Sequence, residues 1–291
     1  MSRDLVPITI AYVIAIAGAV LSLMFLEGDI LWNTLWADLV ATVIIFVFSR
    51  VYKNSSFYDA YWSVIPPLIV VYWAVYHISP NVDPARQAMV IILVWLWGIR
   101  LTANWASHWD GMHHEDWRYG PIKEKAGKFN LLADFGGIHL FPTLIVFASC
   151  LPLYAAVCIG EAPLNWLDVI AFVVTLGAIL IEMVSDIQLH AFVANKKPGE
   201  IMQTGLWRYS RHPNYFGEMS FWFGLMLFGL AAHPEGWWWI MPGAVSMAAM
   251  FFLVSIPLMD VRSAERRPEY RDHMKKVSAI IPWFSKLDSV S

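Results

Sequence analysis

The sequence is short of charge and of cysteine. Charged residues fill 15% of its 291 positions, against about a quarter in an ordinary soluble domain, and only two cysteines occur. So little charge cannot coat a water-soluble surface, and two thiols exclude a disulfide-stapled secreted scaffold. Basic residues are not in excess either. Twenty Lys and Arg against 23 Asp and Glu give a net charge of −3, so no nucleic-acid partner is expected. Gly-x-Gly-x-x-Gly and Walker-type loops are missing, which excludes a soluble-type nucleotide fold. The nine histidines never take the His-x-x-His-His spacing of membrane di-iron hydroxylases, so no metal is expected.

What the chain has is apolar surface: 58% hydrophobic residues, among them 16 Trp, 17 Phe and 13 Met, with a mean hydropathy of +0.52. Leu5–Leu26, Leu140–Gly160 and Gly236–Met259 contain no Asp, Glu, Lys, Arg or His, and each is long enough to cross a hydrocarbon core of about 30 Å. The first run lacks a small-residue cleavage site, so no signal peptide is expected. Cys150 and Cys158 lie about 12 Å apart on a helix, too far for a disulfide. With the shorter apolar segments, these runs predict an all-α, polytopic membrane bundle of about eight transmembrane helices, since open sheets leave backbone unpaired in lipid. The spans fall at 5–26, 31–50, 60–78, 87–105, 138–159, 166–187, 214–232 and 237–258, within a single membrane domain over 1–291.

Lys and Arg orient the bundle. Eight spans with an inside N-terminus leave Arg86 as the one basic residue in an outside loop, and place both termini in the cytoplasm. The cytoplasmic loop 106–137, the loop 188–213 and the tail 259–291 then hold the polar chemistry, while the outside loops look bland.

Ionisable groups inside spans are costly, and by default functional. Arg100, Asn104 and His108 repeat every four residues at the end of the fourth span; Glu182, Asp186 and His190 do so on the sixth. Each set forms one helix stripe, and their charges are complementary. The stripes either pair to hold the bundle together or line a cavity for a polar ligand. Asp38 stands alone in the second span. In the 188–213 loop, Arg208, Arg211 and His212 precede Pro213, which suits the first turn of a helix. Two guanidiniums beside free backbone N–H groups make an anion cradle, although basic residues there also hold lipid headgroups. Lys196 and Lys197 fit the headgroup role; Asn214, Tyr215 and Glu218 do not.

Gly205–Glu218, reading Gly-Leu-Trp-Arg-Tyr-Ser-Arg-His-Pro-Asn-Tyr-Phe-Gly-Glu, resembles the C-terminal signature of the steroid 5-alpha-reductase superfamily. Glu115–Tyr119, Ser56–Trp62 and Ser278–Trp283 resemble one mostly bacterial branch of it, and the likeness runs over roughly residues 50–285. The resemblance implies a reductase in a bacterial inner membrane that uses NADPH to deliver hydride to the C=C bond of a lipophilic conjugated enone. It assigns cofactor binding to Asp186, Arg208, Arg211, His212, Asn214, Tyr215 and Glu218, with Arg100, Asn104, Arg118, Tyr119 and Glu182 beside them.

Reduction also needs a group to meet charge on the enone oxygen. The resemblance puts Asp59 in that role, with Tyr58 and Tyr61 adjacent, and Trp62 and Trp97 shaping a flat pocket. Asp59 also suits the N-cap of the third span. The chain departs from authentic steroid reductases in two places. Their Gln-Glu pair is replaced by Lys53, Asn54 and Asp59, and Trp97 stands where a partner Tyr belongs. Isoprenylcysteine and phospholipid methyltransferases carry a similar Arg-His-Pro-x-Tyr element for S-adenosylmethionine, which leaves methyl transfer as the alternative. A transporter would show repeated halves, and none is visible.

Overall fold

The apolar runs become helices whose ends are set by local chemistry. The computed structural model describes residues 5–76 and 79–284, which contain helices and turns but no strand. α1 (Val6–Leu23) carries Pro7 in its first turn. α2 (Ile30–Tyr52) is capped by Asp29, whose Oδ1 accepts the Leu31 N–H at 2.8 Å, and it ends at Lys53 in the left-handed region with φ 53°. A 3-10 turn over Ser55–Tyr58 leads into α3 (Tyr61–Tyr76), and Asp83 caps α4 (Pro84–Ser107).

The segment 106–137, expected as a loop, is largely helical: α5 (Tyr119–Ala126), a 3-10 turn, α6 (Asn130–Ala133) and a π turn (Asp134–Leu140) that runs straight into α7 (Phe141–Tyr154). α8 (Trp166–Asn195) starts from a capping box of Asn165 and Asp168. It continues past the expected end at 187, because Gln188 to Asn195 keep good helical propensity with no Gly or Pro. α9 (Pro213–Ala232) begins on proline as expected. α10 (Trp237–Met250), a π turn (Phe251–Ser255) and α11 (Ile256–Arg266) form one continuous rod, and α12 (Tyr270–Lys276) lies in the expected tail.

Among the described residues, seven helical stretches are long and apolar enough to cross a membrane, one fewer than the eight expected. The shortfall is α3. Its 16 residues span about 24 Å, and Pro66 and Pro67 sit inside it. Residues 77 and 78 of the expected third span lie outside the described residues. α3 nevertheless joins the two ends of the bundle. The turn before it binds the 112–134 region through Asn54 and Ser55, and the loop after it binds the 157–161 region through Ser79 and Asn81.

Packing depends on small residues, as it must where lipid supplies no hydrophobic drive between helices. α8 and α9 touch so closely that a Cβ on Gly224 would sit 2.1 Å from Thr175 Oγ1. α7 and α10 do the same at Gly243, whose added Cβ would lie 2.1 Å from the Ala148 carbonyl oxygen. Trp73, Trp97 and Trp222 are buried in the centre, while Val13, Val20, Val169 and Val173 point outward. An apolar exterior around a polar-seamed interior is what a hydrocarbon solvent selects, and the protein is a multi-pass membrane protein.

The sequence suggests a bland end at 79–87, 157–166 and 231–236, and the structure corrects this. Arg86 is fully buried, pairs with Asp168 through Nε at 2.7 Å and Nη2 at 2.8 Å, and donates to the carbonyls of Ala162 and Pro163.

Candidate functional site

The two polar stripes meet. α4 and α8 cross so that Arg100 pairs with both Glu182 and Asp186, the latter at 2.9 Å. Asn104 Nδ2 donates to the same Asp186 oxygen at 3.1 Å, and His108 stacks on His190 with ring centroids 3.5 Å apart. α9 adds the next layer. Asn214 hydrogen-bonds Asp186, and Glu218 lies against Glu182. Glu218 is fixed by two indoles, Trp97 Nε1 at 2.9 Å and Trp222 Nε1 at 2.8 Å. Pairing is incomplete: Arg100 Nε and Glu182 Oε2 are buried without a hydrogen-bond partner among the described residues. Buried polar atoms of this kind call for a partner.

A second group comes from the turn before α3 and the segment leading into α5. Asn54 Nδ2 donates to the carbonyls of Met112 (3.0 Å) and His114 (2.9 Å), and Ser55 N–H donates to Glu115. These bonds register the two segments. They bring the Tyr119 hydroxyl onto the Asp59 carboxyl in a short hydrogen bond. Protein surrounds Asp59, and burial pushes its carboxyl from 3.8 to about 7, although the Tyr119 bond works the other way. Next to it, Arg118 holds Asp116 through Nε at 2.8 Å and Nη2 at 2.9 Å. Burial there is outweighed, and Asp116 stays below the usual carboxylate range. Asp59 takes a phenol rather than an α3 backbone N–H, so the expected N-cap is not formed among the described hydrogen bonds.

Both groups face one cavity of about 440 Å³, within the range of small-molecule sites of roughly 300–1,000 Å³. Tyr58, Asp59 and Trp62 line it, as do Arg118 and Tyr119. Asn104, Glu182, Asp186, Asn214, Tyr215 and Glu218 form its polar wall, with Arg100 directly behind the two acids.

Five of the expected residues lie elsewhere. Tyr61 donates to Asp38 at 2.7 Å, which also gives that lone intramembrane acid its partner. Trp97 is fully buried and stacks on Phe221, holding Glu218 rather than shaping the pocket. Arg208 lies on the exposed side of the 205–208 turn. Arg211 and His212 do not form an anion cradle. Arg211 Nη2 binds Asp260 at 2.7 Å, and Nη1 binds the carbonyls of Met274 and Val277. His212 Nε2 meets the other Asp260 oxygen at 3.0 Å. The motif latches the tail onto α9 because a buried guanidinium takes fixed acceptors in preference to an open site.

Sequence reasoning missed the apolar half of the cavity: Ile138, Phe141, Pro142, Met250, Phe251, Val254 and Leu258. These sit in largely apolar stretches, where one more apolar side chain carries no signal. Asp260, a lone acid closing the last run, was legible and was overlooked. Among the described residues, no three His, Cys, Asp or Glu converge as a metal site.

Residues 45–277 match the family model described as "Protein of unknown function (DUF1295)". A Schizosaccharomyces pombe relative, "Uncharacterized protein C594.04c", is 26% identical over 286 residues, covering 90% of this chain and 78% of its own length. No solved structure matches. The matched stretch contains every residue of the polar wall and the Asp59–Tyr119 pair, and the chain belongs to the DUF1295 family.

Proposed function

We propose that this protein is an NADPH-dependent reductase of the C=C bond of a lipophilic conjugated enone, similar to the steroid 5-alpha-reductases, working from the cytoplasmic side of a bacterial inner membrane. The observation that carries the reading is the Asp59–Tyr119 pair placed in the same cavity as an amide- and carboxylate-rich wall. The residues present fit a nicotinamide nucleotide. Asn104, Asn214 and the acids of α8 and α9 suit a carboxamide and ribose hydroxyls, and the unpartnered Glu182 Oε2 awaits a donor. The phosphate end falls to Arg118, since it lines the cavity and Arg211 does not.

When bound, NADPH supplies the hydride. The chain's own residues supply the proton. With Asp59 protonated, its O–H donates to the Tyr119 oxygen, which frees the phenol proton for the carbonyl oxygen of the substrate. Tyr119, which the sequence resemblance put among the cofactor-binding residues, thus joins Asp59 in meeting the charge on the enone oxygen. Glu182 and Glu218, braced by Arg100 and two indoles, hold the polar wall rigid.

The test is a titration of detergent-purified protein with NADPH and, separately, S-adenosylmethionine. NADPH binding that weakens at least ten-fold in Asp186→Ala supports the reductase. Binding of S-adenosylmethionine in its place assigns the same wall to methyl transfer.

A further inference from the structure

The cavity has an apolar rim as well as a polar wall. Ile122, Phe141, Val254 and Leu258 all line it, yet they are 39%, 49%, 47% and 41% exposed. A residue that lines a cavity and also faces outward marks its mouth. The mouth lies where two rods part company. α7 and α10 are in backbone contact at Gly243, but each then turns π-helical, at Asp134–Leu140 and Phe251–Ser255. Both π turns contribute to the cavity wall, and among the described residues they make no extensive contact with each other. π turns break the close stacking of neighbouring helices and gather at functional sites.

The level of the mouth can be read from α5 and α6. Phe129, Leu131 and Leu132 are more than half exposed, and Lys123, Lys125 and Lys128 come directly before them. Such a segment lies in the headgroup plane with its apolar side down. The opening just beneath it therefore faces acyl chains rather than water.

We propose that the cleft between the two π turns is a lateral portal through which the hydrocarbon chain of the substrate enters from the bilayer, its reactive head reaching the polar wall first. The identity of that head rests on the reductase reading; the portal does not. The portal also sets the substrate class. A long, flexible chain can stay in the mouth while the head reacts, whereas a compact polar molecule gains nothing from it.

The test is photolabelling of the full chain in vesicles, using palmitic acid with a diazirine on its chain and no NADPH. Tyr58 and Ile138 line the cavity but are 4% and 3% exposed, so lipid on the outer surface does not reach them. Adducts on both are expected. Val254→Arg should cut them at least five-fold, while adducts on the outward Val169 and Val173 of α8 stay unchanged. Leu258→Trp serves if the arginine variant fails to fold. Labelling of α8 without Tyr58 and Ile138, or equal labelling in the variant, overturns the portal. Because no turnover is read, a protein that labels at Tyr58 but binds no NADPH keeps the portal and loses the reductase.

Discussion

At the residue scale the decisive contact is between Asp59 and Tyr119. A carboxyl held at about 7 changes charge within the working range, so the direction of the pH effect is fixed. Protonated Asp59 donates to Tyr119; ionised Asp59 only accepts, and it ties up the phenol proton. Turnover should therefore be highest below pH 7 and fall as pH rises through it. Tyr119→Phe and Asp59→Asn should each lower turnover by roughly 10²- to 10⁴-fold with NADPH affinity unchanged. A flat pH–rate profile in the wild type, or equal turnover in Tyr119→Phe, removes the dyad. Arg211 behaves differently. Arg211→Met strips Asp260 and two carbonyls of a buried partner, a loss of about 3–5 kcal/mol. Limited proteolysis should then cut the tail near Arg271 and Lys275 much faster. Any loss of NADPH binding should follow that release, since Arg211 does not line the cavity. The stripes on α4 and α8 were legible because charge inside an apolar run has few innocent explanations. The destination of Arg211 was not, because its acceptors lie 49 to 66 residues away.

At the element scale, helix starts were legible where a capping side chain preceded an apolar run, as at Asp29, Asp83 and Asn165. Helix ends and π turns were not. A π turn adds one residue to a uniformly apolar stretch, and no periodicity registers the insertion. The outer ends of α4 and α8 show how much a single residue can hide. Arg86 looked like the stray basic residue of an outside loop, yet it locks those two helices and the 162–163 backbone together. Asp168→Leu alone should cost about 3–5 kcal/mol, because it leaves a guanidinium buried and unpaired. The double variant Arg86→Met with Asp168→Leu should cost less than that single change, since no charge is then orphaned. Thermal unfolding in detergent reads the difference. A double variant worse than Asp168→Leu would show that the carbonyl contacts of Arg86 outweigh its ion pair.

For the whole molecule, composition alone settled class and architecture, since 58% apolar residues and clean runs above 20 leave only a helical bundle in lipid. The number of crossings turns on α3, which is too short by length but joins opposite ends of the bundle. Its thinness is tolerable because α2, α4 and α7 surround it, so its backbone and flanking polar groups meet protein rather than hydrocarbon. The two arrangements differ in a measurable way. If α3 crosses, Glu27, which precedes α2, and Lys197 lie on opposite faces of the membrane; if it does not, the alternation of every loop after α3 is displaced by one and they share a face. The chain is well suited to the experiment, because Cys150 and Cys158 are both buried and leave a single introduced thiol as the reporter. Glu27→Cys should react with a membrane-impermeant maleimide from outside intact cells. Lys197→Cys should react only in inverted vesicles, together with Lys125→Cys on α5. Reaction of Glu27→Cys and Lys197→Cys from the same side would remove α3 from the count. It would also put one crossing between Asp59 and Tyr119, and so remove the pair on which the reductase reading stands.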